Sequence, residues 1–238
     1  MSTRQLLLDF LSFLRRPTTE KSSHTPAQAI VHLFRLWCCL FVFIIFGGVL
    51  VDSIIDVPQH DRFEEVMQQI GIAGFIVFAV LIGPLLEEVA FRLAMRFRLR
   101  YVLVGAVAFV LYMGQAASAV IEKYTENGML YFTLLLILAL VAFISVCFKY
   151  TAAMAKGWNT YFPLIFYGLS FSFALIHIFN FEDFPIRVIL LAPIITLPQF
   201  ILGLGMGYLR MRFGFWYGYL FHVLNNGFAI SVFLLLPH

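Results

Sequence analysis

Apolar runs of about 20 residues, separated by short polar segments, are the feature that most limits how this chain can fold. A helix needs about 20 apolar residues to cross the hydrocarbon layer of a membrane. Charged residues make up only 12% of the chain, whereas about a quarter is usual in soluble domains. So few charges cannot cover a soluble surface, and the sequence therefore predicts an integral membrane protein.

The apolar runs predict an all-α fold, a polytopic bundle of transmembrane helices. Backbone groups in lipid must bond to one another, which favours helices, and no run shows the alternation typical of a strand. We predict about seven spans. Their approximate bounds are 30–51, 69–91, 99–120, 128–149, 161–180, 186–208 and 214–236.

Glycine and proline punctuate the last third of the chain. Pro193 and Pro198 are expected to kink the sixth span. Two glycine pairs have a four-residue spacing that allows close approach of helices in membranes. The pairs are Gly203 with Gly207 and Gly214 with Gly218.

The first residues form a separate part of the prediction. In RQLLLDFLSFLRRP, polar residues recur at helical spacing, which favours a short amphipathic helix lying in the membrane interface. A polar linker follows at 17–27. We therefore divide the chain into residues 1–27, the interfacial helix and linker, and residues 28–238, a transmembrane domain.

The distribution of lysine and arginine predicts that the N-terminus is cytoplasmic, because cytoplasmic loops carry an excess of basic residues. That side would carry Arg4, Arg15, Arg16, Lys21, the arginines at 92, 96, 98 and 100, Lys149, Lys156, Arg210 and Arg212, with Arg35 lying towards it. The other side would carry only Arg62, Lys123 and Arg187, together with acidic residues at 52–65, 122–126 and 182–183. Since topology accounts for the basic residues, the net charge of +3 does not indicate a nucleic-acid partner.

Ionisable residues inside the predicted spans are the candidates for function, because each is costly to place in lipid. Glu88 and Arg92 are four residues apart and share a helix face, so they can form an ion pair. Glu87 points about 100° away from Glu88 on a helix and has no basic residue three or four positions later. The pattern indicates a structural acid, Glu88, beside an acid that is free to exchange a proton, Glu87.

Two histidines and an asparagine lie in later spans. His177 comes late in the fifth span, and His222 and Asn226 are four residues apart in the seventh. If they converge with Glu87, the glutamate could activate water that His177 helps to hold, and the other two could stabilise an oxyanion. Glu87, His177 and His222 could instead bind zinc. Taken separately, a histidine in a span is more often a hydrogen-bonded packing residue than a ligand, and the glutamates could be a purely structural charge cluster.

Three motifs, in order, resemble those of the CPBP family, also called the Abi or CAAX prenyl-protease 2 family. EEVAFR matches EExxxR, FALIH (173–177) matches FxxxH and HVLNN (222–226) matches HxxxN. The resemblance covers roughly residues 70–230 and includes the glycine-rich segment PQFILGLGMGYLRMRFG. It implies an intramembrane endopeptidase that cuts a membrane-associated or lipidated protein or peptide.

The resemblance also implies roles for particular residues. Glu87 would activate water with His177 beside it, and the oxyanion side would be formed by His222 and Asn226. Three residues, Glu88, Arg92 and Phe173, would hold the site together. We favour a mechanism without a cofactor, because Glu87 can act as the base, and keep zinc as the alternative.

One departure from the family pattern is the 90-residue separation between Glu87 and His177. We interpret residues 99–150 as a two-helix insertion, which preserves the direction of the helices that follow. Two other functions stay open: a non-proteolytic member of the fold that acts by binding, such as immunity to a membrane-active peptide, and a transporter or proton channel. The expected partners are membrane lipid and the substrate, and the expected location is a bacterial inner membrane.

Overall fold

The structure, a computed structural model, describes residues 1–54, 62–124, 127–180 and 186–235. Every regular element in these ranges is helical, which confirms the predicted all-α class. A π-helical turn at Phe78–Ile82 precedes α4, and 3₁₀ turns at Leu93–Met95 and His177–Asn180 follow α4 and α8. The α-helices are α1 (Thr3–Arg15), α2 (Pro26–Ile54), α3 (Arg62–Val77), α4 (Gly83–Phe91), α5 (Leu99–Tyr124), α6 (Gly128–Lys149), α7 (Thr151–Thr160), α8 (Phe162–Ile176), α9 (Ile186–Ile195), α10 (Leu197–Arg212) and α11 (Phe215–Leu235).

Five helical stretches in the described ranges are long and apolar enough to cross a membrane, which is typical of a membrane protein. They are Pro26–Val49, Val66–Met95, Gly128–Lys149, Phe162–Phe179 and Phe215–Leu235. A bent pair formed by α9 and α10 brings the number to six. The apolar stretch of α5, Leu99–Gly114, is shorter, so the predicted count of seven is not confirmed although each predicted span contains a helix.

The expected kink in the sixth predicted span is present. Val188–Ile195 and Leu197–Arg212 meet at an angle of 42°. Pro193 lies inside α9 and Pro198 lies in the first turn of α10. Because proline has no N–H to donate, each residue removes one hydrogen bond that a straight helix would make.

The first helix packs on the rest of the bundle. A capping box at Ser2 begins α1, and one face of the helix is buried at Leu6, Phe10 and Phe13. The ring of Phe13 packs edge-on against the ring of Tyr208 in α10, with centroids 5.4 Å apart. The apolar face of α1 therefore contacts protein, and its position in the membrane interface stays a prediction.

The central helix of the bundle is α10, in which every residue from Leu202 to Met211 is buried. Glycine permits this burial: a Cβ at Gly207 would lie 2.6 Å from the ring of Phe166, and one at Gly218 would lie 3.1 Å from Glu88 Oε2. The predicted close approach is thus present at Gly203, Gly207 and Gly218. It is wrong for Gly214, whose added Cβ would meet nothing within 4 Å and whose φ of +130° serves the turn between α10 and α11.

The predicted membrane orientation depends on loops that the structure covers only in part. Residues 55–61, 125–126 and 181–185 lie outside the described residues, as do the side chains at 52, 62–65, 122–123 and 187. These positions hold the acidic residues and the three basic residues expected on the far side. A cytoplasmic N-terminus therefore stays a prediction.

Candidate active site

A π-helical turn precedes the helix that carries the two glutamates. Pro84, in the first turn of α4, has no N–H to donate to the carbonyl of Val80 four residues earlier. The N–H of Gly83 bonds to the carbonyl of Phe78, five residues earlier. The wider turn sets the rotation of α4 and hence the direction of Glu87. Such turns are frequent at functional sites.

Helix α11 is hydrogen-bonded to this π-helical turn. Asn226 Nδ2 donates a hydrogen bond to the carbonyl of Ala79 at 3.0 Å. Tyr219 OH donates to the carbonyl of Leu81 at 3.1 Å. Both donors belong to α11, so the two bonds fix the helix that carries His222 beside the glutamates. Asn226 thus has a positioning contact that the sequence did not reveal.

The ion pair predicted between Glu88 and Arg92 is present and fully buried. Glu88 Oε1 lies 3.3 Å from Arg92 Nη1, and both side chains are 0% exposed. The guanidinium carbon lies 3.6 Å from the ring centroid of Phe173. Within the described residues the guanidinium nitrogens make no hydrogen bond, so charge and the aromatic ring hold them. Gly203 leaves the space, since a Cβ there would be 3.2 Å from Arg92 Nη2.

The imidazole of His222 lies between the two carboxylates. Its Nδ1 is 3.3 Å from Glu88 Oε1, and its Nε2 is 3.5 Å from Glu87 Oε2. The ring is almost fully buried, with 2% of the side chain exposed. The sequence predicts no basic partner for Glu87 on its own helix, and the structure supplies one from α11.

Tyr112 is a site residue that the sequence reasoning missed. Its hydroxyl donates to Glu87 Oε1 at 2.6 Å. Tyr112 belongs to α5, within the segment 99–150 that we interpreted as an insertion, so this segment contributes directly to the site. A tyrosine hydroxyl in an apolar span needs a polar partner, and that signal could have identified it. The other oxygen, Glu87 Oε2, accepts no hydrogen bond within the described residues, and the side chain is 13% exposed.

His177 is connected to His222 by the ring of Phe173, which contacts both imidazoles. It begins the 3₁₀ turn after α8, and its Nδ1 lies 2.8 Å from the carbonyl oxygen of Phe173. The Phe173 ring centroid is 4.7 Å from that of His177 and 5.7 Å from that of His222. No hydrogen bond among the described residues joins His177 to Glu87 or His222. α8 starts at Phe162 with Pro163 in its first turn, a position that proline favours.

The buried charges constrain the protons of the cluster. Two carboxylates face one guanidinium and one imidazole. Uncompensated buried charge is costly, so the neutral arrangement holds one additional proton. The facing atoms of Glu87 and His222, Oε2 and Nε2, are 3.5 Å apart. At this distance the two groups form an ion pair but no hydrogen bond within the described residues.

The zinc alternative requires three ligands that point at one position. The part of the chain that the structure describes contains no group of three His, Cys, Asp or Glu side chains arranged to hold a metal ion. Glu87 and His222 approach each other, whereas neither makes a hydrogen bond to His177 in the described part of the chain. The arrangement does not fit a three-ligand site, and we derive no step through a metal.

An apolar cavity of about 720 Å³ begins one helical turn from the site. Ala90 and Phe109 line it, three residues from Glu87 and Tyr112 respectively. Side chains of α5, α6 and α8 form most of its other walls. A chain of methylene or isoprene groups is the kind of ligand that such a surface favours.

Comparisons with models of protein families, with curated proteins and with solved structures found no match for this chain. The likeness to the CPBP family therefore rests on the three motifs, their order and the glycine-rich segment between the second and third.

Proposed function

We propose that this protein is an intramembrane endopeptidase of the CPBP type, which hydrolyses a peptide bond in a membrane-associated or lipidated protein. One observation carries the proposal: His222 contacts both Glu87 and Glu88, although it lies 134 residues after Glu88 in the sequence. Chance packing of polar residues does not require these two motifs to meet, whereas a hydrolytic site does.

In the proposed reaction Glu87 is the base. Its Oε2 takes a proton from water while the water oxygen attacks the carbonyl carbon of the substrate. Glu87 then passes this proton to the leaving nitrogen, and the C–N bond breaks. Tyr112 holds the other carboxylate oxygen at 2.6 Å, which fixes the direction of Oε2.

His222 is the proposed donor to the oxyanion. With both ring nitrogens protonated, Nδ1 donates to Glu88 and Nε2 lies beside Glu87, at the position where negative charge develops. Glu88 also lies 3.3 Å from Arg92 Nη1, so a buried cation holds the acceptor of Nδ1 in place. We assign to Asn226 a second donor, the amide N–H not used on Ala79, and to His177 the holding of the water.

The apolar cavity supports a substrate with a long apolar group. It starts one turn from Glu87, so a lipid chain seated there would bring a neighbouring peptide bond to the carboxylate. We therefore rank lipidated peptides above unmodified membrane-spanning ones as substrates. The expected setting is a bacterial inner membrane.

The test is a cleavage assay with purified protein in detergent and a panel of lipidated and membrane-spanning peptides. Wild type, Glu87→Gln, His177→Ala and His222→Ala are compared, with and without a chelator. We expect cleavage by wild type only, unchanged by the chelator. Loss on chelation that zinc restores would replace the glutamate mechanism by a metal mechanism. Folded wild type that cleaves no peptide would favour a binding role, such as immunity to a membrane-active peptide.

A second function is suggested by the succession of polar groups Tyr112, Glu87, His222 and Glu88, in which neighbouring groups lie 2.6, 3.5 and 3.3 Å apart. Such a series of groups could relay a proton in a transporter or channel. Proton or solute flux into vesicles that is lost in Glu87→Gln, without peptide cleavage, would support this function instead.

A further inference from the structure

A second cavity lies at the end of the bundle where α10 ends and α11 begins. Its volume is about 440 Å³, and most of its surface is polar. Four basic side chains line it: Lys21, Arg96, Arg98 and Arg210. No acidic residue lines it within the described part of the chain. This cluster is independent of the proposed peptidase site.

The basic residues are built into the wall of the cavity. Arg210 is only 5% exposed, and it donates to the backbone carbonyls of Arg92 at 3.1 Å and Leu93 at 3.2 Å. Arg96 donates to the carbonyls of Thr19 at 3.2 Å and Met211 at 2.9 Å. Residues that served only to orient the chain in the membrane would have no need to surround one cavity.

The positive charge in the wall is not compensated. Among the described residues no carboxylate forms an ion pair with Arg96, Arg98 or Arg210, and the Nε of Arg96 is buried without a hydrogen-bond partner. Burial, and then the nearby Arg98, lowers the pKa of the Arg96 guanidinium. Both observations indicate a site that an anion would stabilise.

We propose that this cavity binds a phosphate-bearing anion, with Arg98 and Lys21 as the accessible contacts and Arg210 as the buried one. Guanidinium groups match the geometry of phosphate oxygens, and Tyr101, which also lines the cavity, adds a hydroxyl. A lipid headgroup and soluble phosphate offer the same chemistry. Basic pockets between helices at the end of a membrane bundle are suited to anionic lipids.

The test measures binding to the purified full chain in a neutral detergent, by native mass spectrometry and thermophoresis. The probes are phosphatidylglycerol, phosphatidylcholine and inorganic phosphate, the last compared with chloride at equal ionic strength. The test variant is Lys21→Gln with Arg98→Gln, both exposed positions. The matched control is Lys149→Gln with Arg15→Gln, which changes the same charge at exposed positions outside the cavity.

We expect phosphatidylglycerol to bind more tightly than phosphatidylcholine, and the test variant to weaken its binding about tenfold or more. The control should change it less than about twofold. Phosphate that binds alone and is lost in the test variant would support the site with a soluble ligand as its occupant. Equal loss in both variants would show general charge attraction and overturn the proposal, as would the absence of binding by both anions. Unchanged melting temperatures identify the variants as folded.

Discussion

Glu87 and Glu88 are neighbours in the chain with different surroundings. Glu88 is fully buried against Arg92, whereas Glu87 is 13% exposed and faces Tyr112 and His222. Helical spacing predicts this division, because only Glu88 has a basic residue four positions later. It could not reveal the partners of Glu87, since both come from helices distant in sequence.

The Tyr112 hydroxyl gives the first prediction. We expect Tyr112→Phe to lower kcat for cleavage about tenfold, because a hydrogen bond to a charged group is lost and the carboxylate can turn. The melting temperature should change little. Tyr131→Phe is the matched control, since this tyrosine is 68% exposed on α6. Equal activities of Tyr112→Phe and wild type would contradict the proposed role of Tyr112 in orienting Glu87.

A comparison of two ion pairs gives the second prediction. Arg92→Met leaves the buried Glu88 without its cation, and we expect it to destabilise the fold by about 3–5 kcal/mol. Arg212→Met breaks the pair with Asp9, whose atoms are 3.1 Å apart but whose side chains are partly exposed. Solvent screening should limit that cost to about 1 kcal/mol or less. Unfolding in a denaturing detergent measures both, and similar losses would contradict the structural role of Arg92.

At the scale of the element, α10 shows why glycine spacing is informative. The helix is buried from Leu202 to Met211, and glycines leave room for Phe166, Arg92 and neighbouring rings. The four-residue spacing predicts this at Gly203 and Gly207. It fails at Gly214, because spacing cannot distinguish a helix contact from a turn that needs a positive φ.

Gly207 carries the prediction for this helix. A methyl group there would meet the buried Phe166 ring at 2.6 Å, so Gly207→Ala should destabilise the protein by about 1–3 kcal/mol. Gly168→Ala in α8 meets nothing within 4 Å and should be neutral or stabilising by about 0.5–1 kcal/mol. Melting temperatures in detergent separate the two. A stabilised Gly207→Ala would show that α10 packs less closely than described.

For the whole molecule, hydropathy predicts the helices better than it predicts which of them cross the membrane. Each predicted span contains a helix, yet the sixth is bent by 42° and the apolar stretch of α5 is short. The hydropathy of a segment does not reveal where its helix bends. It therefore predicts neither the bend at Thr196 nor the junction of α3 with the π-helical turn. Hydropathy also does not reveal that Tyr112, in the segment 99–150 interpreted as an insertion, reaches the site, because that contact depends on the packing of α5 on α4.

The path of α5 gives the prediction for the whole molecule. If α5 spans, Ser23 in the linker and Asn127 before α6 lie on opposite sides of the membrane. A single cysteine is placed at position 23 or at position 127 of a chain in which Cys38, Cys39 and Cys147 have been replaced. The two proteins should differ in labelling by a membrane-impermeant maleimide in intact cells. We expect labelling at position 127 and none at position 23. Labelling of both, or of neither, would place them on one side and reduce the spans to six.

The central claim is that Glu87 activates water, and the most direct measurement is single-turnover cleavage of a lipidated peptide by Glu87→Gln. We predict a rate at least about a hundredfold below that of wild type, since the amide cannot accept the proton. Binding of the peptide should be preserved. Glu20→Gln, an exposed carboxylate in the linker, should cleave as wild type does. A Glu87→Gln protein that retains more than about a tenth of the wild-type rate would contradict the account.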